Sequence, residues 1–199
     1  MKLKDLNIVI VGVGGQGTLL ASKILAQLAM TEGFSVKVSE VHGMAQRGGN
    51  VITHVRIGDQ VHAPLVASGS ADYLLAFEPL EAARAVSYLK TDGLLIVNTQ
   101  RISPMPVLSG AAQYPENPYG QMMSAAQAVE ALDAYSLAVD AGSYRAVNVV
   151  LLGVLSRHLP FSEEDWAQAI TACVPPRTLE TNSKAFALGR DFTAQTVKA

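Results

Sequence analysis

The sequence predicts an α/β fold: a Rossmann-like, mainly parallel sheet with helices on both faces, a β-hairpin insertion and a helical C-terminal extension. Short β-branched runs alternate with helix-like segments along most of the chain. A glycine-rich turn joins the first run to the first helix, as in doubly wound folds. With roughly 100–200 residues per domain as the usual size, residues 1–199 are expected to form one domain, an α/β core over about 1–140 and a helical extension over 141–199.

The first part of the chain is predicted to alternate strands with one long helix. Residues 7–11 are a continuous β-branched run, typical of a strand covered on both faces. Residues 14–30 are predicted as a helix ending before Gly33, with four leucine or isoleucine side chains on its buried stripe: Leu19, Ile24, Leu25 and Leu28. Further strands are predicted at residues 34–39 and 51–57, with a short hairpin arm at 60–62 after the turn at Gly58-Asp59.

The second part is predicted to end in helices. Pro79 suits the first turn of a helix that continues over 81–89. Ser162 and the three acidic residues after it predict a capped helix start. Strands are predicted at 73–77, 94–98 and 135–139, helices at 120–132, 145–158, 162–172 and 178–188, and a proline-rich irregular segment at 101–119.

Composition narrows the classes of function. Charged residues make up only 16% of the chain, against about 25% in average domains, which favours extensive contact with another protein. The net charge of −2 gives no general electrostatic footprint for nucleic acid or membrane. Neither a membrane-spanning run nor a signal-peptide core is present, so a cytoplasmic location is expected. Cys173 is the only cysteine, which excludes an internal disulfide and a self-contained cysteine-ligated iron–sulfur cluster.

The first glycine loop admits two interpretations. Gly12, Gly14 and Gly17 form G-x-G-x-x-G between a strand and a helix, and Glu40 stands where a dinucleotide-binding protein keeps a ribose-binding acid. An oxidoreductase that binds NAD(P) and acts alone is therefore one hypothesis. The other is that the glycines pack helix against strand while the loop faces a partner. The dehydrogenase is weakened because Glu40 opens a dense polar loop and no roomy substrate domain follows.

That polar loop is the most informative segment. Residues 39–51 carry an acid, an imidazole, an amide, a guanidinium and three glycines between two strand-like runs. The string Glu40-Val41-His42-Gly43-Met44-Ala45-Gln46-Arg47-Gly48-Gly49, with residues 11–17 and 54–58, resembles the gamma domain of 2-oxoacid:ferredoxin oxidoreductases. Residues 71–82 narrow the resemblance to the beta subunits of indolepyruvate ferredoxin oxidoreductases. The resemblance covers about residues 7–158.

The resemblance implies a subunit of a larger enzyme. An alpha subunit would carry thiamine diphosphate, Mg²⁺ and [4Fe–4S] clusters, and the complex would convert arylpyruvates such as indolepyruvate, with coenzyme A (CoA), to acyl-CoA, CO₂ and reduced ferredoxin. The chain has no Gly-Asp-Gly thiamine signature and no cysteine set, so we expect it to be inactive alone, with no catalytic residue or metal of its own. A freestanding binding or regulatory module of the same fold remains the other alternative.

The candidate site residues lie in the two glycine-containing loops, which we expect to meet at one edge of the sheet. They could hold the phosphates of CoA, because guanidinium and free N–H groups suit phosphate. They could instead be an interface, with Arg47 against a partner carboxylate and Glu40 paired internally. The candidates are Gly14, Gly15, Gln16, Gly17, Glu40, His42, Gly43, Met44, Gln46, Arg47, Gly48 and Gly49.

Four other polar features have simpler expectations. The histidines at 54 and 62 are expected to be hydrogen-bonded rather than metal ligands, because no tight ligand spacing accompanies them. Glu78 could border a site or shape the start of a helix. Asn148, in an apolar helix, needs a partner if it is buried, and a backbone loop is the ordinary one. Cys173 is expected to be a small core residue.

Overall fold

The protein is built on one mixed sheet. A computed structural model describes residues 5–43, 49–118, 120, 122, 126 and 128–193. Its strands are β1 (Leu6–Val13), β2 (Ser35–His42), β3 (Asn50–Gly58), β4 (Ala71–Ala76), β5 (Leu89–Asn98) and β6 (Ala128–Leu132). They form a six-stranded sheet in the order β2-β3-β1-β4-β5-β6. β1, β4, β5 and β6 are parallel, and β3 is antiparallel to both of its neighbours.

Helices cover both faces of the sheet, which confirms the predicted fold class. They are α1 (Thr18–Thr31), α2 (Pro79–Ala85), the single turn α3 (Met105–Leu108), α4 (Ala134–Asp140), α5 (Val147–Ser156), α6 (Glu163–Cys173) and α7 (Leu179–Asp191). Helix α1 and helices α4 to α7 share one apolar core with Ile8 and Ile10 of β1, and α2 packs with Val9 and Val11 on the other face. Every residue of α5 is buried, so the C-terminal helices belong to the main core.

The structure contains a β-hairpin, but it is formed by β2 and β3 rather than by β3 and residues 60–62. Residues 60–62 form no strand; instead β2 and β3 pair along their length, from Ser35 opposite Gly58 to His42 opposite Val51. The polar loop is thus the hairpin connection. β3 also pairs with β1, so both of its edges are satisfied and it has no free edge for an additional arm. The segment after β3 instead crosses a face of the sheet, where Val61 and Val66 are buried.

Two predicted elements have the wrong type. Residues 128–132, predicted as the end of a helix, form β6, because pairing with residues 94–98 of β5 overrides the helix propensity of alanine. Residues 135–139, predicted as a strand, lie in α4. The Asp133 carboxylate accepts a hydrogen bond from the Ser136 N–H at 3.0 Å and so caps this helix.

Smaller differences concern helix ends. Helix α1 begins at Thr18 rather than at residue 14, and Leu19 in its first turn is 64% exposed, so its predicted place on the buried stripe is wrong. Leu89, predicted as the end of a helix, begins β5. The predicted cap at Ser162 is confirmed as a reciprocal capping box with Asp165. None of the described helices is long and apolar enough to cross a membrane.

Candidate functional site

The glycine loop lies at the carboxyl edge of the sheet, between β1 and α1. The Gln16 side chain crosses the turn: its Oε1 accepts the Val13 N–H at 2.7 Å, and its Nε2 donates to the Phe77 carbonyl at 3.0 Å. Both ends of the amide are therefore bonded to backbone. Gln16 therefore ties the end of β1 to the end of β4.

Two further side-chain amides, those of Asn98 and Asn148, also bond to backbone groups at this edge of the sheet. Asn98 is fully buried; its Nδ2 donates to the Phe77 carbonyl at 3.2 Å, and its Oδ1 accepts the Ala134 N–H at 3.1 Å and the Gln100 N–H at 3.4 Å. Asn148 of α5 donates to the Gly17 carbonyl at 3.2 Å, which confirms the predicted backbone partner. We call Gln16, Asn98 and Asn148 the amide belt. Sequence reasoning missed Asn98, although an amide ending a buried strand was a usable signal.

Gly17 shows why the loop needs glycine at its last position. Its φ is +87°, and a Cβ there would lie 2.7 Å from Asn148 Nδ2. Gly15 also has a positive φ, +103°, but a Cβ there would meet nothing within 4 Å. Both positions favour glycine by conformation, and only Gly17 also requires it for space. The loop at Gly15 is therefore open toward solvent.

A cleft of about 690 Å³ opens above the amide belt. The glycine loop forms one side, and Tyr135, Tyr144 and Arg145 form the other. The two tyrosine ring centroids are 6.3 Å apart, and the Arg145 guanidinium lies 5.8 Å from the centroid of the Tyr144 ring. A crevice outside the carboxyl ends of parallel strands is the usual ligand position in open α/β sheets. Sequence reasoning did not identify the side formed by Tyr135, Tyr144 and Arg145. These residues follow residues 128–132, which were predicted as a helix and form β6.

The hairpin end meets the glycine loop directly, as expected from their places along the chain. The Gly14 N–H donates to the Gly49 carbonyl at 2.9 Å, and the Gly43 N–H donates to the Asn50 carbonyl at 2.9 Å. The other loop candidates, Met44, Gln46, Arg47 and Gly48, lie outside the described residues. Their place in the candidate site therefore stays a prediction.

Glu40 is paired within the chain. Its carboxylate lies 2.8 Å from His42 Nε2 and accepts the Thr53 hydroxyl at 2.9 Å and the Thr18 hydroxyl at 3.5 Å. Because β3 lies between β2 and β1, Glu40 lies on the second strand from β1, although its side chain reaches Thr18 at the start of α1. In a dinucleotide-binding fold the acid ends the strand beside β1 and is free to bind the ribose. The arrangement differs from that site in both respects.

Glu78 forms a second tie at the carboxyl edge, just after β4. One carboxylate oxygen, Oε2, accepts the N–H groups of Leu80 and Glu81 at 2.6 and 3.1 Å and so caps α2. The other, Oε1, accepts the Ile102 N–H at 3.2 Å and the Tyr114 hydroxyl at 2.5 Å. Burial and the hydrogen bond to Glu78 raise the pKa of Tyr114 well above its usual range, so its hydroxyl remains a donor. Glu78 thus shapes the helix start and also holds the segment after β5.

Several exposed apolar side chains lie at the carboxyl edge of the sheet. Most of the large hydrophobic residues that are exposed in the described chain lie on elements that begin or end at the carboxyl edge. This apolar rim consists of Leu19, Val41, Met105, Leu108, Tyr135 and Tyr144. Such a group of exposed apolar side chains is typical of a protein interface.

Of the remaining polar candidates, His54 and Cys173 pack within the fold, whereas His62 does not. His54 is buried, accepts the Val66 N–H at 3.4 Å and packs edge-on to Tyr88; burial lowers its pKa. His62 is exposed, and within the described ranges no three His, Cys, Asp or Glu side chains group as metal ligands. Cys173 is half-buried against the core, and burial raises its pKa. One cysteine does not fit a cysteine-ligated cluster.

Residues 7–192 match the sequence model of the pyruvate ferredoxin/flavodoxin oxidoreductase family. The chain belongs to this family. The indolepyruvate oxidoreductase subunit IorB of Thermococcus kodakarensis is 43% identical over 94% of this chain and 95% of its own length. The gamma subunit of a keto/oxoacid ferredoxin oxidoreductase from Geobacter sulfurreducens is 28% identical, with a TM-score of 0.69 over 92% of this chain and 95% of its own.

The family fold also occurs within a longer chain. A 2-oxoglutarate:ferredoxin oxidoreductase from Magnetococcus marinus, solved with 2-oxoglutarate, coenzyme A and succinyl-CoA bound, matches 99% of this chain and 33% of its own. The TM-score is 0.70 at 20% identity, so the likeness is one of fold. These relatives are subunits or larger chains of oxidoreductases, which agrees with the predicted class of enzyme.

Proposed function

We propose that this chain is the subunit without cofactors of an arylpyruvate:ferredoxin oxidoreductase, with indolepyruvate as the expected type of substrate. The observation that carries the proposal is the 43% identity with an indolepyruvate oxidoreductase subunit along 94% of the chain. The complex would consume a 2-oxoacid and CoA, release CO₂, form the acyl-CoA and pass two electrons to ferredoxin. Thiamine diphosphate, Mg²⁺ and the [4Fe–4S] clusters belong to an alpha subunit in this proposal.

The donor set of the chain supports this division. A [4Fe–4S] cluster needs about four cysteine ligands, and the chain has one cysteine. Its most buried carboxylate, Glu78, is saturated by four donors from its own chain. A single cysteine and an internally bonded carboxylate do not supply the ligands that a redox centre needs.

We propose that the carboxyl edge is the surface turned toward the alpha subunit. The contact between Gly14 and Gly49 joins the two candidate loops, and the apolar rim lies along the same edge of the sheet. The candidate residues of both loops would then border a joint active site, with CoA entering beside the open glycine turn. The low charge of the chain, 16% of residues, agrees with a large covered area.

Calorimetry separates this proposal from the dinucleotide enzyme. Because Glu40 is paired internally and lies on a strand that does not adjoin β1, NAD(H) and NADP(H) should not bind with micromolar affinity. Micromolar dissociation, about 8 kcal/mol of binding free energy, would instead favour a stand-alone dehydrogenase. Copurification with a thiamine- and iron-containing partner would count against an independent regulatory module.

A further inference from the structure

The segment after β5, residues 99–118, forms part of the cleft, and one buried carboxylate ties it to the end of β4. Gln100 and Ile102 line the cleft. Glu78, which is 1% exposed, reaches this segment at two places, the Ile102 N–H and the Tyr114 hydroxyl. These lie 24 and 36 residues from Glu78 along the chain, so the contacts close two long loops.

We propose that Glu78 is a positioning residue that fixes residues 99–118 as one wall of the cleft for the joint active site. The inference rests on the proposed function, because it assumes that the cleft borders that site. The two carboxylate oxygens have different partners. Oε2 caps α2, while Oε1 holds residues 99–118. These contacts hold the wall in a fixed position relative to the end of β4, beside the amide belt.

The hydrogen bond from Tyr114 connects Glu78 to the wall and takes no part in the cap of α2. The Arg101 guanidinium lies 5.4 Å from the centroid of the Tyr114 ring, so the ring packs within the same segment. Tyr114→Phe keeps this ring and removes only the donor to Oε1. Glu78→Gln is more severe, because an amide has a single accepting oxygen. That oxygen cannot serve both the α2 cap and the Ile102 N–H.

The first measurement is hydrogen exchange of residues 99–108 in the wild-type chain and both variants. Loss of one hydrogen bond is worth about 0.5–1.5 kcal/mol, so Tyr114→Phe should speed exchange of this segment by about twofold to twelvefold. Glu81→Gln is the matched control. Glu81 is also a buried carboxylate on α2, but its described partner is Arg84 rather than this segment. Unchanged exchange in Tyr114→Phe would overturn the proposed tie.

The second measurement is steady-state kinetics of the reconstituted complex with varied CoA. A misplaced wall should raise the KM for CoA by at least about threefold in Tyr114→Phe while kcat stays near the wild-type value. Loss of folded protein alone would lower apparent kcat and leave KM unchanged. Faster exchange with an unchanged KM would overturn the positioning role, because the loosened wall would then have no part in the site.

Failure of the proposed function has a separate signature. If the wild-type chain and its partner form no active complex, the proposed function fails, and the exchange comparison still decides whether Glu78 holds the wall. If Glu78→Gln does not fold, Tyr114→Phe carries both measurements on its own. Its half-buried ring remains in place, so folding should be retained.

Discussion

Removal of the Asn98 side chain should destabilise the protein through the carboxyl edge. Asn98→Ala deletes three hydrogen bonds, to the Phe77 carbonyl and from the N–H groups of Ala134 and Gln100. The Phe77 carbonyl keeps its bond from Gln16, but the two N–H groups lose the side-chain acceptor. An unsatisfied buried donor costs about 1–3 kcal/mol, and the Gln100 contact at 3.4 Å is the weaker one. The expected loss is about 2–4 kcal/mol in the free energy of unfolding.

Urea unfolding followed by tryptophan fluorescence measures this loss. Trp166 is the only tryptophan and is fully buried, so its emission reports the main core. A stability loss of this size should also lower the melting temperature by roughly 4–16 °C in a chain of this length. Asn50→Ala is the control, because Asn50 is exposed and its loss should fall within about 0.5 kcal/mol. A similar small effect for Asn98→Ala would refute the role given to the amide belt.

Three further predictions follow from single residues. Gly17→Ala should lower the melting temperature more than Gly15→Ala, because only at Gly17 would a Cβ meet Asn148, at 2.7 Å; equal shifts would show that backbone conformation alone matters. Burial lowers the pKa of His54 below 6.5, so the unfolded chain binds the proton more tightly and stability should fall as pH decreases below 6.5. His54→Gln should flatten this part of the stability–pH curve, and an unchanged slope would assign it to another group. Arg47→Ala should leave the melting temperature of the free chain nearly unchanged but weaken the complex or its turnover by about tenfold, roughly 1.4 kcal/mol; a collapse of the free chain would make Arg47 structural.

The parts of the fold that local sequence determines were predictable. The β-branched run of β1, the glycine turn after it and the capping box at Ser162 each depend on residues close together in the chain. The elements that failed depend on distant partners. Residues 128–132 favour a helix by alanine content and become a strand only because β5 offers a free edge. β3 takes its position between β1 and β2 through pairing that no local pattern specifies.

The site divides in the same way. Asn148 was predictable because a polar residue in a wholly apolar helix requires a partner, and the glycine loop supplies it. The double role of Glu78 was not, since its two segment contacts come from 24 and 36 residues away. The tyrosine wall of the cleft follows β6, so assignment of the wrong element there concealed it.

Reconstitution of the complex decides whether this chain is a necessary subunit that carries no cofactor. The measurement is CoA-dependent reduction of ferredoxin by an arylpyruvate, with this chain alone, the proposed alpha subunit alone and an equimolar mixture of the two. We expect turnover only in the mixture, with the iron in the alpha subunit. Turnover or stoichiometric iron in this chain alone, or full activity of the alpha subunit without it, would contradict the account.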